Sequence, residues 1–396
     1  MIMNNEKFLP EIPYGTRDFL PVEAARKRAL ENRLAKLFAA WGYEEVVTPV
    51  MEYLDTLLLG SGSSMEDHMF KFFGRNNRTL ALRHEMTTPI ARLASGRLHD
   101  APLPLKLSYI SSVYRYEQAQ IGRKCEFYQA GVELLGSGSV TADAEIIALA
   151  VESLLSAGLD NFRLCLGHVD FIGGLLEEYG LSTSQRKKIQ TAIENKNLVR
   201  LQNLVDEIKL NPHQGRTLSE IAQLYGQDDI LTKARSLAVN SRSQAALDNL
   251  TQINELLQHY GARKYVAFDL GLIRDFQYYT GMVFEVYVPT LGFPVCGGGR
   301  YDNLLSDFRQ DYAATGFALG IERVLLALNQ PQTDALTKPK DVFVSYSPGK
   351  TAAAVAKACE LRKAGLTVEL ALEAQTDHEA EKYRVQGRFA RLEYFA

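Results

Sequence analysis

The sequence predicts an α+β protein built on one mixed, largely antiparallel sheet flanked by helices, and three observations carry that expectation. Strand-like stretches are spread along the chain without regular alternation with helices, which favours non-local antiparallel pairing over a wound parallel sheet. From Ser182 to His259, Gln, Asn, Lys, Leu and Ala dominate, strand signals vanish and helical spacing takes over, as in Leu198, Leu201, Leu204 and Ile208. Beyond a polar stretch with Pro331 and Pro339, the last part of the chain alternates strand and helix. With 396 residues and 46% hydrophobic side chains, the chain can bury a sizeable core and divide into domains.

Taken in order, Pro21 to Trp41 reads as an amphipathic helix, because Leu30, Leu34, Leu37, Phe38 and Trp41 recur at helical spacing and Gly42 supplies a stop. Val46 to Met51 is β-branched and reads as a strand ending around Thr48-Pro49. Met69 to Phe73 and Thr79 to Arg83 read as a hairpin turning at Gly74-Arg75-Asn76-Asn77. Further strands are expected at Leu105 to Tyr116, Glu126 to Glu133, Val266 to Leu270, Gly281 to Val288 and Phe293 to Cys296, with helices at Ala142 to Ala157 and Ala318 to Leu328. The end reads as a small βαβαβ unit: strands Asp341 to Ser347, Thr367 to Leu370 and Phe389 to Tyr394, with helices Ala352 to Ala364 and Asp377 to Val385. The expected domains are therefore 1–330, carrying a helical insertion at about 182–260, and 340–396.

Composition narrows the function classes. No apolar run approaches the ~20 residues of a membrane-spanning helix, and the first ten residues carry Asn4, Asn5, Glu6 and Lys7 where a secretory segment would be apolar, so a cytoplasmic location is expected. Cys125, Cys165, Cys296 and Cys359 are dispersed, without the paired spacing of a zinc or thiol-redox site, and no metal or cofactor is expected. A formal net charge of −3 gives no global field that would draw nucleic acid.

Four clusters could carry chemistry. In Arg83-His84-Glu85-Met86-Thr87-Thr88-Pro89 a strand ends and a helix begins; Glu85 and Thr87 can face one way and hold an ammonium group, or simply cap the helix. Around Tyr114-Arg115-Tyr116-Glu117, a strand, a basic loop with Arg123 and Lys124, and a second strand could hold an anion. On that second strand Gln129, Gly131 and Glu133 share a face, the glycine leaving room for a ligand; the alternative is the solvated side of a hairpin. In Arg274-Asp275-Phe276-Gln277-Tyr278-Tyr279-Thr280-Gly281 an arginine suited to a carboxylate precedes two phenols that suit a ring nitrogen or a core. Gly297-Gly298-Gly299-Arg300-Tyr301-Asp302, followed by Gly316 to Arg323, permits close backbone approach to a ligand but matches no nucleotide-binding glycine fingerprint, and a tight turn competes.

In this order the clusters resemble the class II histidyl-tRNA synthetase family over nearly the whole chain, from Gly15-Thr16-Arg17-Asp18-Phe19-Leu20-Pro21 onward. The resemblance implies a six-stranded antiparallel class II sheet with a helical insertion. It implies that Glu85 and Thr87 hold the histidine ammonium group, Gln129 contacts the amino acid, Glu133 and Tyr279 bond the imidazole, and Tyr278 lines the pocket. Arg115 and Arg274 would sit near the carboxylate, while Arg123 and Arg323 would be remnants of an ATP site.

The departures from a synthetase fall on the ATP side. The family has arginines where this chain has Gln118 and Cys125, and it typically reads Arg-Gly-Leu-Asp-Tyr-Tyr where this chain has Asp275 beside Arg274. Two lost charged hydrogen bonds of ~1.5–3 kcal/mol each would cost roughly 10²–10⁴-fold in ATP binding or adenylation. The last unit resembles the start of an anticodon-binding domain and stops after its third strand. This pattern resembles the ATP phosphoribosyltransferase regulatory subunits, which implies no catalytic residues of its own and a short-form catalytic partner in a hetero-octamer of four plus four chains. It further implies L-histidine as feedback effector and self-association through the class II dimer core, with no tRNA binding expected. An active synthetase with degenerate motifs and a stand-alone histidine-binding protein are the alternatives.

Overall fold

A computed structural model describes residues 11–61, 63–116, 124–238, 240–272, 279–328 and 340–396. Among the described residues the chain divides into two compact units, the larger made of residues 11–20 and 26–328 and the smaller of residues 21–25 and 340–396. In the larger unit the strands are β1 (Glu44–Glu45), β2 (Met51–Tyr53), β3 (Lys71–Phe73), β4 (Thr79–Leu82), β5 (Leu105–Tyr114) and β6 (Glu126–Leu135). They continue with β7 (Arg163–His168), β8 (Tyr225–Gly226), β9 (Val266–Asp269), β10 (Met282–Tyr287), β11 (Cys296–Arg300) and β12 (Ala314–Gly320).

Nine of these form one sheet in the order β1-β5-β6-β12-β11-β10-β7-β9-β8. Its central run, from β5 to β7, is six strands paired antiparallel throughout, while β1 joins β5 and β9 joins β7 in parallel. β2, β4 and β3 make a separate small antiparallel sheet, and the short helix α2 (Leu54–Ser61) follows β2 directly.

The pleat sends alternate side chains to opposite faces. One face carries Ala130, Val132, Leu134, Leu164, Leu166, Phe284, Val286 and Phe317 into the main core, under the helices α1 (Pro21–Ala40) and α4 (Val140–Ala157). The helical expectation for α1 holds: Leu30, Leu34 and Phe38 are its buried stripe. On the opposite face α3 (Thr87–Gly96) and α11 (Asp302–Asp307) enclose a smaller core of Met86, Ile90, Leu107, Tyr109, Tyr301 and Leu304. The rest of that face is open, and the site lies there.

Between β7 and β9 the chain forms the helices α5 (Val169–Glu178), α6 (Thr183–Glu194), α7 (Leu198–Ile208), α8 (Pro212–Ile221), α9 (Asp229–Leu237) and α10 (Ser241–His259). The expected helical stretch contains one strand after all, since Tyr225–Gly226 pairs antiparallel with Phe268 and Asp269 at the sheet edge. In the smaller unit β13 (Lys340–Tyr346), β14 (Val368–Leu370) and β15 (Phe389–Phe395) form a parallel sheet in the order β14-β13-β15, with the helices Thr351–Lys363 and Asp377–Gln386 between them.

Three other expectations are corrected. Val46 to Met51 is largely not strand: its carbonyls are taken by Arg83, whose Nη1 donates to Thr48 O at 2.7 Å and whose backbone N donates to Val50 O at 2.9 Å. The strand expected at Phe293 to Cys296 begins only at Cys296, so the three glycines lie inside β11 and not in a turn. The helix expected from Ala318 starts at Ile321, because Ala314 to Gly320 is the strand β12, inserted between β6 and β11. A Cβ on Gly316 would run into the Glu133 carboxyl and the Val132 carbonyl, which explains the glycine in the middle of this strand.

Candidate functional site

The open sheet face forms the floor of a cavity of about 1380 Å³. Strand register builds that floor: Gly131 of β6 faces Ala318 of β12, which faces Gly297 of β11, which faces Glu285 of β10. Ala318 and Gly297, side by side without a bulky side chain, leave a shallow trough, and polar groups stand around its end at β6.

Glu133, 2% exposed, is the centre of that end. Its Oε1 accepts from Thr87 Oγ1 at 3.0 Å, and its Oε2 accepts from the Tyr301 hydroxyl. Burial pushes the Glu133 carboxyl up to about 8, against the two hydroxyl donations that hold it down and with the negative Glu85 adding a smaller push. Thr87 opens α3, and Glu85 caps that helix: its carboxylate accepts from Thr87 N and, at 2.9 Å, from Thr88 N. The helix-cap reading and the ligand reading of Glu85 are therefore compatible, since a carboxylate has lone pairs to spare. Gln129 stands on the same face, and its buried Oε1 has no hydrogen-bond partner among the described residues.

The glycines explain how these side chains fit. A Cβ on Gly316 would lie 1.9 Å from Glu133 Oε2, and one on Gly299 would lie 2.7 Å from Tyr279 Cε1. A Cβ on Gly131 would lie 2.5 Å from the Tyr109 hydroxyl. The space over Gly131 is thus filled by Tyr109, its partner across β5 and β6, and is not left for a ligand as the strand pattern suggested.

Of the residues singled out in the sequence, Glu85, Thr87, Arg115, Gln129, Glu133, Tyr279 and Arg323 all line the one cavity. Arg115 Nε donates to His84 O at 3.0 Å, which holds its guanidinium beside the Glu85 end. Buried His84, with burial lowering its pKa to about 4, stays neutral at physiological pH. Arg323 donates to Pro294 O at 2.8 Å and lies 5.1 Å over the Phe293 ring. Arg123, Arg274 and Tyr278, with Gln118 and Asp275, lie outside the described residues. Cys125 is buried with its Sγ against Gly15, 2.3 Å from where a Cβ on that glycine would be. Among the described residues no group of three His, Cys, Asp or Glu side chains is placed to hold a metal ion.

Two residues were missed. Tyr301 and Tyr109 both line the site, and both sit beside the glycines that drew notice. Neighbouring Arg300 turns the other way, into a buried ion pair with Asp143 (Nη2 to Oδ1, 2.8 Å), so the Gly-Gly-Gly-Arg-Tyr-Asp segment serves the core with one residue and the pocket with the next.

A six-stranded antiparallel sheet whose polar end is closed by a helix N-terminus, with a helical insertion following its edge strand β7, defines a protein of the histidyl-tRNA synthetase fold. The histidyl-tRNA synthetase family profile matches residues 15–324, and histidyl-tRNA synthetase from Nostoc sp. superposes with a TM-score of 0.81 at 22% identity, covering 96% of this chain and 90% of that one. Curated relatives at higher identity carry another name. The ATP phosphoribosyltransferase regulatory subunit of Moorella thermoacetica is 45% identical over 386 residues, 97% of each chain. A crystal structure from Bacillus halodurans, described as an ATP phosphoribosyltransferase regulatory subunit/histidyl-tRNA synthetase, aligns with a TM-score of 0.88 at 34% identity, covering 99% of this chain and 100% of that one. The chain belongs to the ATP phosphoribosyltransferase regulatory subunit family, the histidine-biosynthetic branch of the histidyl-tRNA synthetase fold.

Proposed function

We propose that this chain binds free L-histidine in the pocket around Glu133, activates a short-form ATP phosphoribosyltransferase catalytic subunit, and makes that enzyme sensitive to histidine without itself charging tRNA. The observation that carries the reading is the closure of one polar end of the cavity by Glu85, Thr87, Gln129, Glu133, Tyr279 and Tyr301. An ammonium group, which only donates, meets the Glu85 carboxylate and the Thr87 hydroxyl; an imidazole, which has one donor and one acceptor when neutral, meets the Glu133 carboxyl and a phenol. Arg115, with Arg274, would complete the carboxylate end.

The absence of charging is supported by Gln118, Cys125 and Asp275, where synthetases carry arginine, arginine and glycine. Cys125 is enclosed beside Gly15, and Arg323 is already engaged with Pro294 O and the Phe293 ring. The smaller unit is read as a relative of an anticodon-binding domain that does not read tRNA. For assembly we infer a hetero-octamer of four plus four chains, with self-association through the exposed apolar side chains of Val47, Met51 and Tyr53.

The test pairs histidine calorimetry with ATP–pyrophosphate exchange on the same preparation. One saturable histidine site with no exchange is the expected result. Robust histidine-dependent exchange would make the chain a working synthetase, and no histidine uptake would remove the pocket assignment.

A further inference from the structure

The Glu85 and Thr87 end of the pocket is tied on both sides to a surface segment, residues 47–53. Arg83, just before the pocket residues, is buried and satisfied chiefly by carbonyls: Nη1 donates to Thr48 O at 2.7 Å, Nε to Ser112 O at 2.8 Å, and its backbone N to Val50 O at 2.9 Å. Farther along α3, Arg92 donates through Nε and Nη2 to Glu52 Oε1, at 3.0 and 2.7 Å. Glu52 is the middle residue of β2 and is 6% exposed; the pleat turns its neighbours outward, Met51 to 55% and Tyr53 to 37% exposure, with Val47 at 82%. Residues 83–92 therefore form one connected unit. Its inner side carries the two groups that meet an ammonium ion, and its outer side holds an apolar strip in place.

We propose that this unit passes occupancy of the pocket to the apolar strip, with the Arg92–Glu52 pair as the link that makes the strip follow α3. The inference rests on the reading of the pocket as a histidine site. The physical reason for following is the burial of Glu52. A movement of α3 that stretched the pair would leave a buried carboxylate without its cation, which costs more than moving the three-residue strand with the helix. On the pocket side, Glu85 holds the Thr87 and Thr88 amides, so drawing its carboxylate toward a bound ammonium group pulls on the first turn of α3. Arg92 and Glu52 touch no ligand; they are positioning residues.

Hydrogen–deuterium exchange of the full chain, with and without saturating histidine, tests this. In the wild type, histidine slows exchange at residues 84–90 and alters it by about fivefold or more at residues 46–54. Glu52→Gln keeps the shape and weakens the link: the calorimetric histidine affinity and the protection at 84–90 persist, while the response at 46–54 is lost. Arg92→Gln should lose the response at 46–54 in the same way and serves if Glu52→Gln does not fold, while Arg92→Lys, which keeps the charge, retains it; a response unchanged in Arg92→Gln counts against the link. A wild-type strip indifferent to bound histidine, or a response unchanged in Glu52→Gln, would overturn the proposal. Absence of calorimetric histidine binding in the wild type would overturn the pocket reading together with it, and is told apart by that trace.

Discussion

Tyr301 and Glu133, 168 residues apart in the chain, meet as donor and acceptor in a buried part of the pocket. Their meeting depends on the sheet order, which sets β12 between β6 and β11, and on Gly316, whose missing side chain admits the carboxyl. Because Thr87 takes the other carboxyl oxygen, Glu133 ties α3, β6 and the end of β11 together at one point.

Removing the phenolic hydroxyl tests that tie. Tyr301→Phe keeps the ring in its core and leaves Glu133 with one donor fewer, so histidine binding should weaken by ~1–3 kcal/mol. Calorimetry at neutral pH reads this directly, and an affinity equal to wild type would take Tyr301 out of the site.

Glu133 also predicts a pH dependence with a definite sign. Burial holds its carboxyl protonated up to about 8 when folded, against the ordinary carboxylate value of 4.5 when unfolded. Between those values the folded chain holds more protons, so the contribution of this group to stability is full below about 4.5 and is lost as pH rises through about 8. Urea unfolding at pH 5 and pH 8.5 should show a smaller loss across the window in Glu133→Gln than in the wild type.

Gly316→Ala is expected to disrupt the pocket outright. The added methyl would stand 1.9 Å from Glu133 Oε2 and 2.5 Å from the backbone oxygen of Val132, and only the first of these can move away. Histidine affinity should fall by more than about tenfold, with ~1–3 kcal/mol lost in stability, measured by calorimetry and by urea unfolding on the same sample.

Arg300 makes the converse case. Arg300→Met strands the buried Asp143 carboxylate, which should cost ~3–5 kcal/mol of stability. In the folded protein histidine affinity should stay within about threefold, because the lost pair lies on the far side of the sheet. A large affinity loss at unchanged stability would reverse the roles of Arg300 and its neighbour Tyr301.

The parts of this site that were readable in the sequence are those governed by local rules. Strand alternation put Gln129 and Glu133 on one face, and the strand-to-helix switch at Thr87 put Glu85 at a helix start; helical spacing marked Leu30, Leu34 and Phe38. What escaped depends on neighbours far away in the chain. Gly316 is small because Glu133 and β6 crowd it, and with only Thr315 and Phe317 as strand-forming side chains Ala314 to Gly320 gave a weak strand signal. Val46 to Val50 has strand composition, yet Arg83 takes its carbonyls. Tyr301 and Tyr109 follow from register across the sheet, and the glycines that looked like room for a ligand turned out to be room for Glu133, Tyr279 and Tyr109. The histidyl-tRNA synthetase resemblance supplied the roles of the pocket residues, which composition and spacing alone left open.

The central claim is that this pocket reports histidine to a catalytic partner. Its most direct measurement is phosphoribosyl-ATP formation by a short-form catalytic subunit titrated with this chain, at increasing histidine, using wild type and Glu133→Ala. Activity should rise with added wild-type chain and be inhibited by histidine. With Glu133→Ala the activation should persist while the inhibition shifts to higher histidine by roughly 5–150-fold, the equivalent of ~1–3 kcal/mol. No activation by the wild type, or histidine inhibition that Glu133→Ala leaves unchanged, would contradict it.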